Sequence, residues 1–280
     1  MTASYDRRIT AARPDLAAAH LKGVIPAERY REGRLKQVTQ SFVGLRSGAG
    51  DEAMLETQLL FGELFTVYEL KGGWVWGQAA LDSHVGYAPA DAFGEPGEPP
   101  THRVTAGATP LLMAPDVKQP SRTILPMNAK LHVAEDTGRF SRLAGGFYVF
   151  SAHIAPLQTH APDWVAVTEV FVGAPYLWGG KTYAGIDCSG LIQTALEAAG
   201  VLAPRDTDLM ENALGLPIAL DAPLGRGDLV FWKGHMGAML DETRLIHASA
   251  YAMQVVIEDF AAARARIEAD GLPVRTIKRL

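Results

Sequence analysis

Short runs of β-branched and aromatic residues, each ended by turn-forming residues, fill the front half of the chain and constrain its fold more than any other feature. The clearest runs are residues 42–46, 64–68, 74–76 and 85–87, with Gly72-Gly73 and Asp82-Ser83 between the later ones. Runs of this kind at close spacing are typical of strands joined by tight turns. Because about five such strands fall within roughly 60 residues, we expect a small β-barrel here.

A weaker copy of this pattern follows the first. Residues 67–69 (Val-Tyr-Glu) resemble residues 133–135 (Val-Ala-Glu), and residues 86–93 resemble residues 146–154. The stretch between the copies, Gly94-Glu-Pro-Gly-Glu-Pro-Pro100, has the composition of a linker. We therefore interpret the front of the chain as two similar all-β barrels.

The pattern changes after about residue 158. Residues 164–172 are apolar with helical spacing, and residues 189–200 form a second helical pattern that Gly200 ends. Strand patterns then cluster at residues 228–232, 236–240, 245–247 and 254–257. A helix ahead of an antiparallel sheet is an α+β arrangement.

The sequence thus predicts an α+β domain preceded by two small all-β barrels. The expected boundaries are residues 1–35 for an N-terminal extension, 36–98 and 99–157 for the two barrels, and 158–280 for the α+β domain.

The composition excludes two classes of partner. Hydrophobic residues make up 48% and charged residues 20%, and the net charge is −5. A negative charge argues against nucleic acid bound through a general basic field, and no run of about 18 apolar residues is available to span a membrane. The N-terminal sequence repeats charges without the apolar run of a secretory signal, and the single cysteine suits a reducing compartment, so we expect a cytoplasmic location.

The only cysteine lies where the second helix is predicted to begin, in Asp187-Cys188-Ser189-Gly190. A thiol is nucleophilic as its thiolate, and the free amide groups of a first helical turn stabilise that anion and depress the thiol pKa. Most lone cysteines are buried and inert. The choice between the two interpretations depends on whether a base lies nearby.

Two histidines are candidates for that base and for a residue that orients it. His235 lies between two predicted strands, flanked by Gly234 and Gly237, and glycines let a strand end approach another element closely. His247 lies on the next predicted strand. A hairpin turning at residues 241–244 would set the two histidines side by side. Either histidine alone is more often a structural residue.

Six motifs in this order resemble the NlpC family of cell-wall peptidases. They are Tyr176-Leu-Trp-Gly-Gly180, Asp187-Cys-Ser-Gly190, Pro204-Arg-Asp-Thr207, Gly227-Asp-Leu-Val-Phe-Trp232, Gly234-His-Met-Gly237 and Ile246-His-Ala-Ser249. Family members often carry bacterial SH3-like barrels in front, which agrees with the repeat in residues 36–157.

The resemblance implies a papain-like fold with a Cys–His–His arrangement. Cys188 would attack, His235 would be the base and His247 would orient it. Many relatives have another polar residue in the third position, and a histidine there does not bring the negative charge of an aspartate. Backbone N–H groups at the start of the helix, including that of Cys188, would form the oxyanion hole. No metal and no cofactor are expected.

The resemblance also implies a substrate. Family members cut peptidoglycan peptides, usually after γ-D-glutamate and before a diamino acid, and the subgroup with two leading barrels trims recycled stem peptides. There, acidic and tyrosine side chains hold the free amine of L-alanine. The candidate substrate-binding residues are Tyr176, Asp187, Ser189, Asp206, Glu63 and Tyr87.

Each of these candidates has a structural alternative. Asp187 could simply cap the helix, as could other residues near helix entries, and Tyr176 could be a packed aromatic residue. Glu63 could be a solvated surface acid. Tyr87, with Trp74 and Trp76, could pack the barrel instead of lining a groove.

Other classes of function remain open at this point. Metal hydrolysis is a weak rival because the short ligand spacings of zinc sites and the H-E-x-x-H motif are missing. A non-catalytic wall-binding protein would fit the barrels, and a cell-wall lytic endopeptidase would fit the motifs. An amidase or acyltransferase would use the same thiol chemistry on another substrate.

Overall fold

The computed structural model describes residues 5–280, so residues 1–4 of the predicted N-terminal extension lie outside the described residues. The chain forms two compact units and passes from the first to the second between Leu157 and Gln158. Each unit has its own sheets and its own apolar clusters.

The first unit begins with a segment of the predicted N-terminal extension. This segment contributes strand β1 (Ala17–Ala18), which runs parallel to β2 (Tyr30–Arg31), and a 3₁₀ turn at Ala19–Leu21. Leu16 and Ala18 are completely buried and pack in one cluster with Tyr68 and Trp76. The segment is therefore part of the first unit's core, and Trp76 has the packing role.

The first lobe of this unit is one seven-stranded antiparallel sheet with the order β5-β4-β8-β7-β6-β3-β9. Its strands are β3 (Arg34–Val38), β4 (Phe42–Arg46), β5 (Leu55–Leu60), β6 (Leu64–Lys71), β7 (Trp74–Ala79), β8 (Val85–Pro89) and β9 (Phe93–Gly94), with a 3₁₀ turn at Ala90–Ala92. The sequence predicted four of these strands, and the structure confirms them. Alternate residues face inward, and Leu45, Phe65 and Ala88 are fully buried in the core.

The second lobe repeats the pairing of the first with shorter strands. They are β10 (His102–Val104), β11 (Ala108–Leu112), β12 (Ser121–Pro126), β13 (Lys130–Leu131), β14 (Val133–Asp136), β15 (Phe140–Leu143), β16 (Tyr148–Phe150) and β17 (Ile154–Pro156), with a 3₁₀ turn at Ser151–His153. β10 pairs with β13 and β17 as β3 pairs with β6 and β9, and β11 pairs with β12 and β16 as β4 pairs with β5 and β8. Val104, Leu111, Leu125 and Val149 form its separate core.

The second unit places helices against a six-stranded antiparallel sheet with the order β20-β25-β21-β22-β23-β24. Its elements are α1 (Trp164–Glu169), β18 (Lys181–Thr182), β19 (Gly185–Ile186), α2 (Cys188–Ala198), α3 (Thr207–Ala213), β20 (Leu216–Ile218), β21 (Leu229–Trp232), β22 (His235–Met239), β23 (Arg244–Ser249), β24 (Gln254–Asp259), α4 (Phe260–Ala269) and β25 (Thr276–Arg279). This is the predicted α+β arrangement, and the predicted strands agree with β21–β24 to within two residues.

Helix α2 is the element around which this unit is built. All eleven of its residues are buried, and it packs against β22 and β23. It ends where the sequence predicts, since Gly200 takes a left-handed conformation with φ of +80°. The other predicted helix, α1, is shorter than expected because its last turn closes at Val170.

Within residues 5–280 no helix is long and apolar enough to cross a membrane.

Candidate active site

Cys188 is the first residue of α2, at the end of the helix whose N–H groups have no helical partners. Asp187 is the N-cap, and its Oδ1 accepts a hydrogen bond from the Gly190 N–H at 2.7 Å. The start of the helix lies tightly against Gly180, because a Cβ on Gly190 would come within 2.2 Å of the Gly180 carbonyl oxygen. The backbone around the cysteine is therefore fixed by capping and by close packing.

The predicted hairpin brings the two histidines together. Strands β22 and β23 pair in antiparallel register, and His235 Nε2 lies 2.7 Å from His247 Nδ1. Gly237 permits this approach, because a Cβ there would lie 3.0 Å from the His247 Cβ and 2.9 Å from a Leu245 methyl group. The adjacency of His235 and His247 is confirmed.

The thiol of Cys188 contacts the strand that carries His235. The backbone N–H of Met236, the residue after His235, donates a hydrogen bond to the thiol sulfur, and the Thr207 Oγ1 lies 3.9 Å from Sγ. The reacting sulfur, the candidate base and its neighbour therefore lie on adjoining parts of α2 and the sheet.

The electrostatics of Cys188 differ from the sequence-based expectation of a depressed pKa. Burial, followed by the charge of Asp187, raises the pKa of the thiol to about 11, although the Met236 N–H, Thr207 and Arg205 oppose the shift. Desolvation outweighs the helix N-terminus because the charged form has lost its water. The resting cysteine is a thiol, and it becomes nucleophilic when a base takes its proton.

Both histidines are neutral for the same reason. Burial, with smaller contributions from the neighbouring His247 and Arg266, lowers the pKa of His235 to about 3. Burial also lowers the pKa of His247, although its hydrogen bond to Glu258 opposes this. A neutral imidazole can accept the thiol proton, so the pair has the protonation state that a general base needs.

Asp187 is fully engaged inside the protein. Its Oδ2 accepts hydrogen bonds from the Gly179 N–H at 2.8 Å and from the Arg205 guanidinium at 2.7 Å. The side chains of Arg205 and Asp187 are only 2% and 9% exposed. Arg205 also donates to the Ser189 hydroxyl at 2.7 Å. Asp187 therefore caps the helix, which was its structural alternative to substrate binding, and Arg205 balances its charge.

Tyr176 and Asp206 take different positions in the second unit. Burial raises the pKa of the Tyr176 hydroxyl, and the charges of Cys188 and Asp187 act in the same direction, so this side chain lies within electrostatic range of the thiol. Asp206 precedes α3, but its side chain does not cap that helix. Contact of either residue with a substrate stays a prediction.

Glu63 and Tyr87 belong to the first unit. Glu63 is 5% exposed, and its Oε2 accepts a hydrogen bond from the Leu60 N–H at 3.1 Å. The alternative of a solvated surface acid is therefore wrong. The Tyr87 hydroxyl accepts a hydrogen bond from Arg13 at 2.8 Å, next to the ion pair of Arg13 with Glu69. Substrate contacts of both residues stay predictions.

Sequence reasoning missed two residues that the structure joins to this site. Arg205 stands inside a quoted motif, yet its pairing with Asp187 needs the loop after α2 to fold back. Glu258 lies on β24, and its Oε1 is 2.6 Å from His247 Nε2. In the sequence it directly follows a predicted strand and stands next to a second acid, Asp259, so nothing there distinguished it. Within the described residues no group of side chains has the arrangement of a metal site.

The geometry is that of a papain-like domain, with a cysteine at a helix start hydrogen-bonded to the strand that carries a histidine pair. Residues 173–265 match the NlpC/P60 family, and residues 45–93 match the bacterial dipeptidyl-peptidase SH3 domain. The chain therefore carries an NlpC/P60 domain and, ahead of it, a bacterial dipeptidyl-peptidase SH3 domain.

Curated relatives agree with this assignment. Dipeptidyl-peptidase 6 of Lysinibacillus sphaericus is 40% identical over 79 residues, which span 28% of this chain and only 29% of the relative. The gamma-D-glutamyl-L-lysine dipeptidyl-peptidase of Bacillus cereus is 26% identical over 75% of this chain and 74% of its own length.

A solved structure shares the fold over most of the chain. An NlpC/P60 family protein from Bacillus cereus superimposes with a TM-score of 0.75 at 20% identity, covering 88% of this chain and 99% of that protein. At this identity the likeness concerns the fold alone.

Proposed function

We propose that the protein is a cysteine peptidase that hydrolyses the bond between γ-D-glutamate and a diamino acid in peptidoglycan stem peptides. The observation that carries this proposal is the thiol of Cys188 at the start of α2, hydrogen-bonded to the strand that presents the His235–His247 pair. A nucleophile, a neutral base and an orienting partner are the parts that acyl transfer from a peptide requires.

The geometry supports a two-step reaction. His235 accepts the thiol proton while the sulfur of Cys188 attacks the carbonyl carbon of the γ-glutamyl group. Backbone N–H groups at the start of α2 stabilise the negative oxygen that forms. The amine of the diamino acid then leaves with the proton from His235, and water, activated by the same histidine, releases the acyl group from the sulfur.

The substrate assignment is supported by the relatives that align along most of the chain. Those from Bacillus cereus and Bacillus subtilis are both named gamma-D-glutamyl-L-lysine dipeptidyl-peptidase and cover 75% and 72% of this chain. A dipeptidyl-peptidase releases two residues and so needs a free N-terminus two residues before the cut. We therefore propose that the substrate begins with a free L-alanine and that the enzyme recycles released peptides in the cytoplasm.

Two side chains near the thiol bear on the recognition of that amine. Tyr176 lies within electrostatic range of the thiol, and its hydroxyl keeps its proton because burial raises its pKa, so it is able to hydrogen bond to a substrate. Asp187 adjoins the thiol as well, but Arg205 already balances its carboxylate. We therefore assign to Asp187 a hydrogen-bonding contact at most, and not the main countercharge of the ammonium group.

The two lobes of the first unit are best explained as two SH3-like domains. Residues 45–93 of the first lobe match the bacterial dipeptidyl-peptidase SH3 domain directly. We infer the same fold for the second lobe because its strands repeat the pairing of the first, including a 3₁₀ turn before the last strand.

The test is product analysis with L-Ala-γ-D-Glu-meso-diaminopimelate. We expect L-Ala-γ-D-Glu and free diaminopimelate from the wild type and neither product from the Cys188→Ala variant. The N-acetylated tripeptide should be cut at least about 100-fold more slowly, because it loses charge-assisted hydrogen bonds that are each worth about 1.5–3 kcal/mol.

The alternative functions predict other results in these assays. Equal rates on free and acetylated tripeptides, together with clearing of purified cell wall, would favour a lytic endopeptidase. Transfer of the acyl group to an added amine would favour an acyltransferase. Turnover by the Cys188→Ala protein would end the cysteine mechanism.

A further inference from the structure

His247 has a second polar contact that the Cys–His–His arrangement does not include. One ring nitrogen, Nδ1, lies 2.7 Å from His235, and the other, Nε2, lies 2.6 Å from the Glu258 Oε1. The His247 side chain is 1% exposed and that of Glu258 is 27% exposed. The Glu258 carboxylate therefore follows His235 and His247 in one series of polar contacts. It supplies the negative charge that a histidine in the third position does not bring.

The sheet register places Glu258 there. On β23 and β24, His247 lies opposite Val256, and Leu245 lies opposite Glu258. Residues two apart on a strand point to the same face, so Glu258 is the diagonal neighbour of His247 on one face of the sheet. The contact follows from the backbone pairing and does not depend on a loop.

Helix α4 holds the carboxylate from the other side. The Arg266 guanidinium donates to the same Glu258 oxygen and lies 4.6 Å from the centre of the Tyr251 ring. Burial raises the pKa of Glu258, but the hydrogen bonds from His247 and Arg266 outweigh it and lower that pKa. Glu258 is thus ionised at neutral pH and is restrained by two donors.

The ionised carboxylate determines which ring nitrogens carry protons. A carboxylate only accepts hydrogen bonds, so Nε2 of His247 must be the protonated nitrogen and Nδ1 must accept. His235 then donates from Nε2 to His247, which leaves its own Nδ1 without a proton. That is the nitrogen that can take the proton from the thiol of Cys188.

We propose that Glu258, restrained by Arg266, is a positioning residue that sets the tautomers of His247 and His235 and stabilises the positive charge that forms on them during catalysis. This inference rests on the proposed cysteine-peptidase function. The charged groups that face the two histidines are Glu258 and Arg266, and they act in opposite directions on the histidine pair.

The test compares Glu258→Gln, Glu258→Ala and Arg266→Met with the control Glu268→Gln. Glu268 lies on α4, as Arg266 does, and like Glu258 it pairs with an arginine. Its partner is Arg264, and this pair is at the exposed surface. Two quantities are measured across pH: kcat and KM for the tripeptide, and the rate at which iodoacetamide alkylates Cys188. The alkylation rate needs no peptide substrate, so it separates this inference from the substrate assignment.

We expect Glu258→Ala to lower kcat by about 10- to 100-fold with little change in KM, the size seen for residues that orient a reacting group. Loss of the carboxylate makes the histidines harder to protonate, so the acidic limb of both profiles should move to lower pH in the Glu258 variants. Arg266→Met should move it to higher pH, and Glu268→Gln should leave it in place. A structural role for Glu258 would change the melting temperature without these opposite shifts.

Two results decide the outcome. Profiles of Glu258→Gln and Arg266→Met that overlay the wild type in folded protein, with kcat unchanged, would overturn the inference. If the wild type fails to cut the tripeptide but the alkylation profiles shift as described, the inference stands and the substrate assignment fails.

Discussion

Replacing Asp187 by alanine removes two supports from the start of α2 at once. The carboxylate caps the helix through the Gly190 N–H at 2.7 Å and pairs with the Arg205 guanidinium at 2.7 Å. With the side chains of this pair 2% and 9% exposed, the alanine variant leaves the arginine charge buried without its carboxylate. We expect a large loss of stability that does not depend on any substrate contact.

The magnitude follows from these contacts. Removing one partner of a buried ion pair costs about 3–5 kcal/mol, and losing an N-cap costs about 0.5–2 kcal/mol. Both act through one carboxylate and do not simply add, so we expect a loss of about 4–5 kcal/mol. At roughly 4 °C per kcal/mol for a unit of this size, the melting temperature should fall by roughly 15–20 °C.

The chain contains a matched control in Asp163. It caps α1 through the N–H groups of Val165 and Ala166 and pairs with Arg226, but the side chains of this pair are 40% and 43% exposed. An exposed pair contributes about 0–1 kcal/mol, so Asp163→Ala should cost mainly its cap, about 1 kcal/mol. Thermal unfolding followed by circular dichroism compares the two variants.

A second variant isolates the buried charge. In Asp187→Ala with Arg205→Met, no charge remains unpaired, so the double variant should be more stable than Asp187→Ala alone. If Asp187→Ala and Asp163→Ala melt within a few degrees of each other, the reasoning from burial is wrong. Asp187 would then be free to act mainly as a substrate ligand.

Two further predictions concern the histidine pair. Gly237→Ala should destabilise the second unit by about 1–3 kcal/mol and lower kcat, because the new methyl group would lie 3.0 Å from His247 and 2.9 Å from Leu245. Melting temperature and turnover are compared with those of the control Gly225→Ala, where a Cβ meets nothing within 4 Å. Acid should also destabilise the fold, because burial lowers the pKa of His235 to about 3 while the unfolded imidazole keeps a pKa of about 6.5. The unfolded state takes up the proton first as pH falls, so urea unfolding should show a loss of about 2 kcal/mol between about pH 7 and 5, and His235→Gln should remove that part of the slope.

Local signals made part of this site predictable. The helix that carries Cys188 was evident from its apolar spacing and from Gly200, and the hairpin from two strand patterns separated by a short polar turn. Each signal lies within about a dozen residues, so the adjacency of His235 and His247 followed without knowledge of the remaining chain.

The unpredicted parts depend on long-range packing. The pairing of Arg205 with Asp187 joins the loop after α2 to the residue before it, and no periodic pattern encodes such a contact. The pKa of Cys188 went in the other direction from the expectation because a sequence displays a helix start but not the depth of burial. The packing of the segment ahead of β2 was not predicted either, because its short apolar stretch, Leu16 to Ala18, becomes core only against Tyr68 and Trp76.

In the second unit, one ion pair lies beside the thiol of Cys188 and another beside His247. Arg205 balances Asp187 beside the thiol, and Arg266 balances Glu258 beside His247. In a weakly screening interior, an unbalanced carboxylate at either place would shift the protonation of its neighbour strongly. With both balanced, burial keeps the thiol and the imidazoles neutral, and in the proposed reaction charge separates only as the sulfur attacks. The two pairs differ in exposure, since the Arg205 side chain is 2% exposed and that of Arg266 is 25% exposed. Solvent and salt therefore reach the pair beside His247 more readily than the pair beside the thiol.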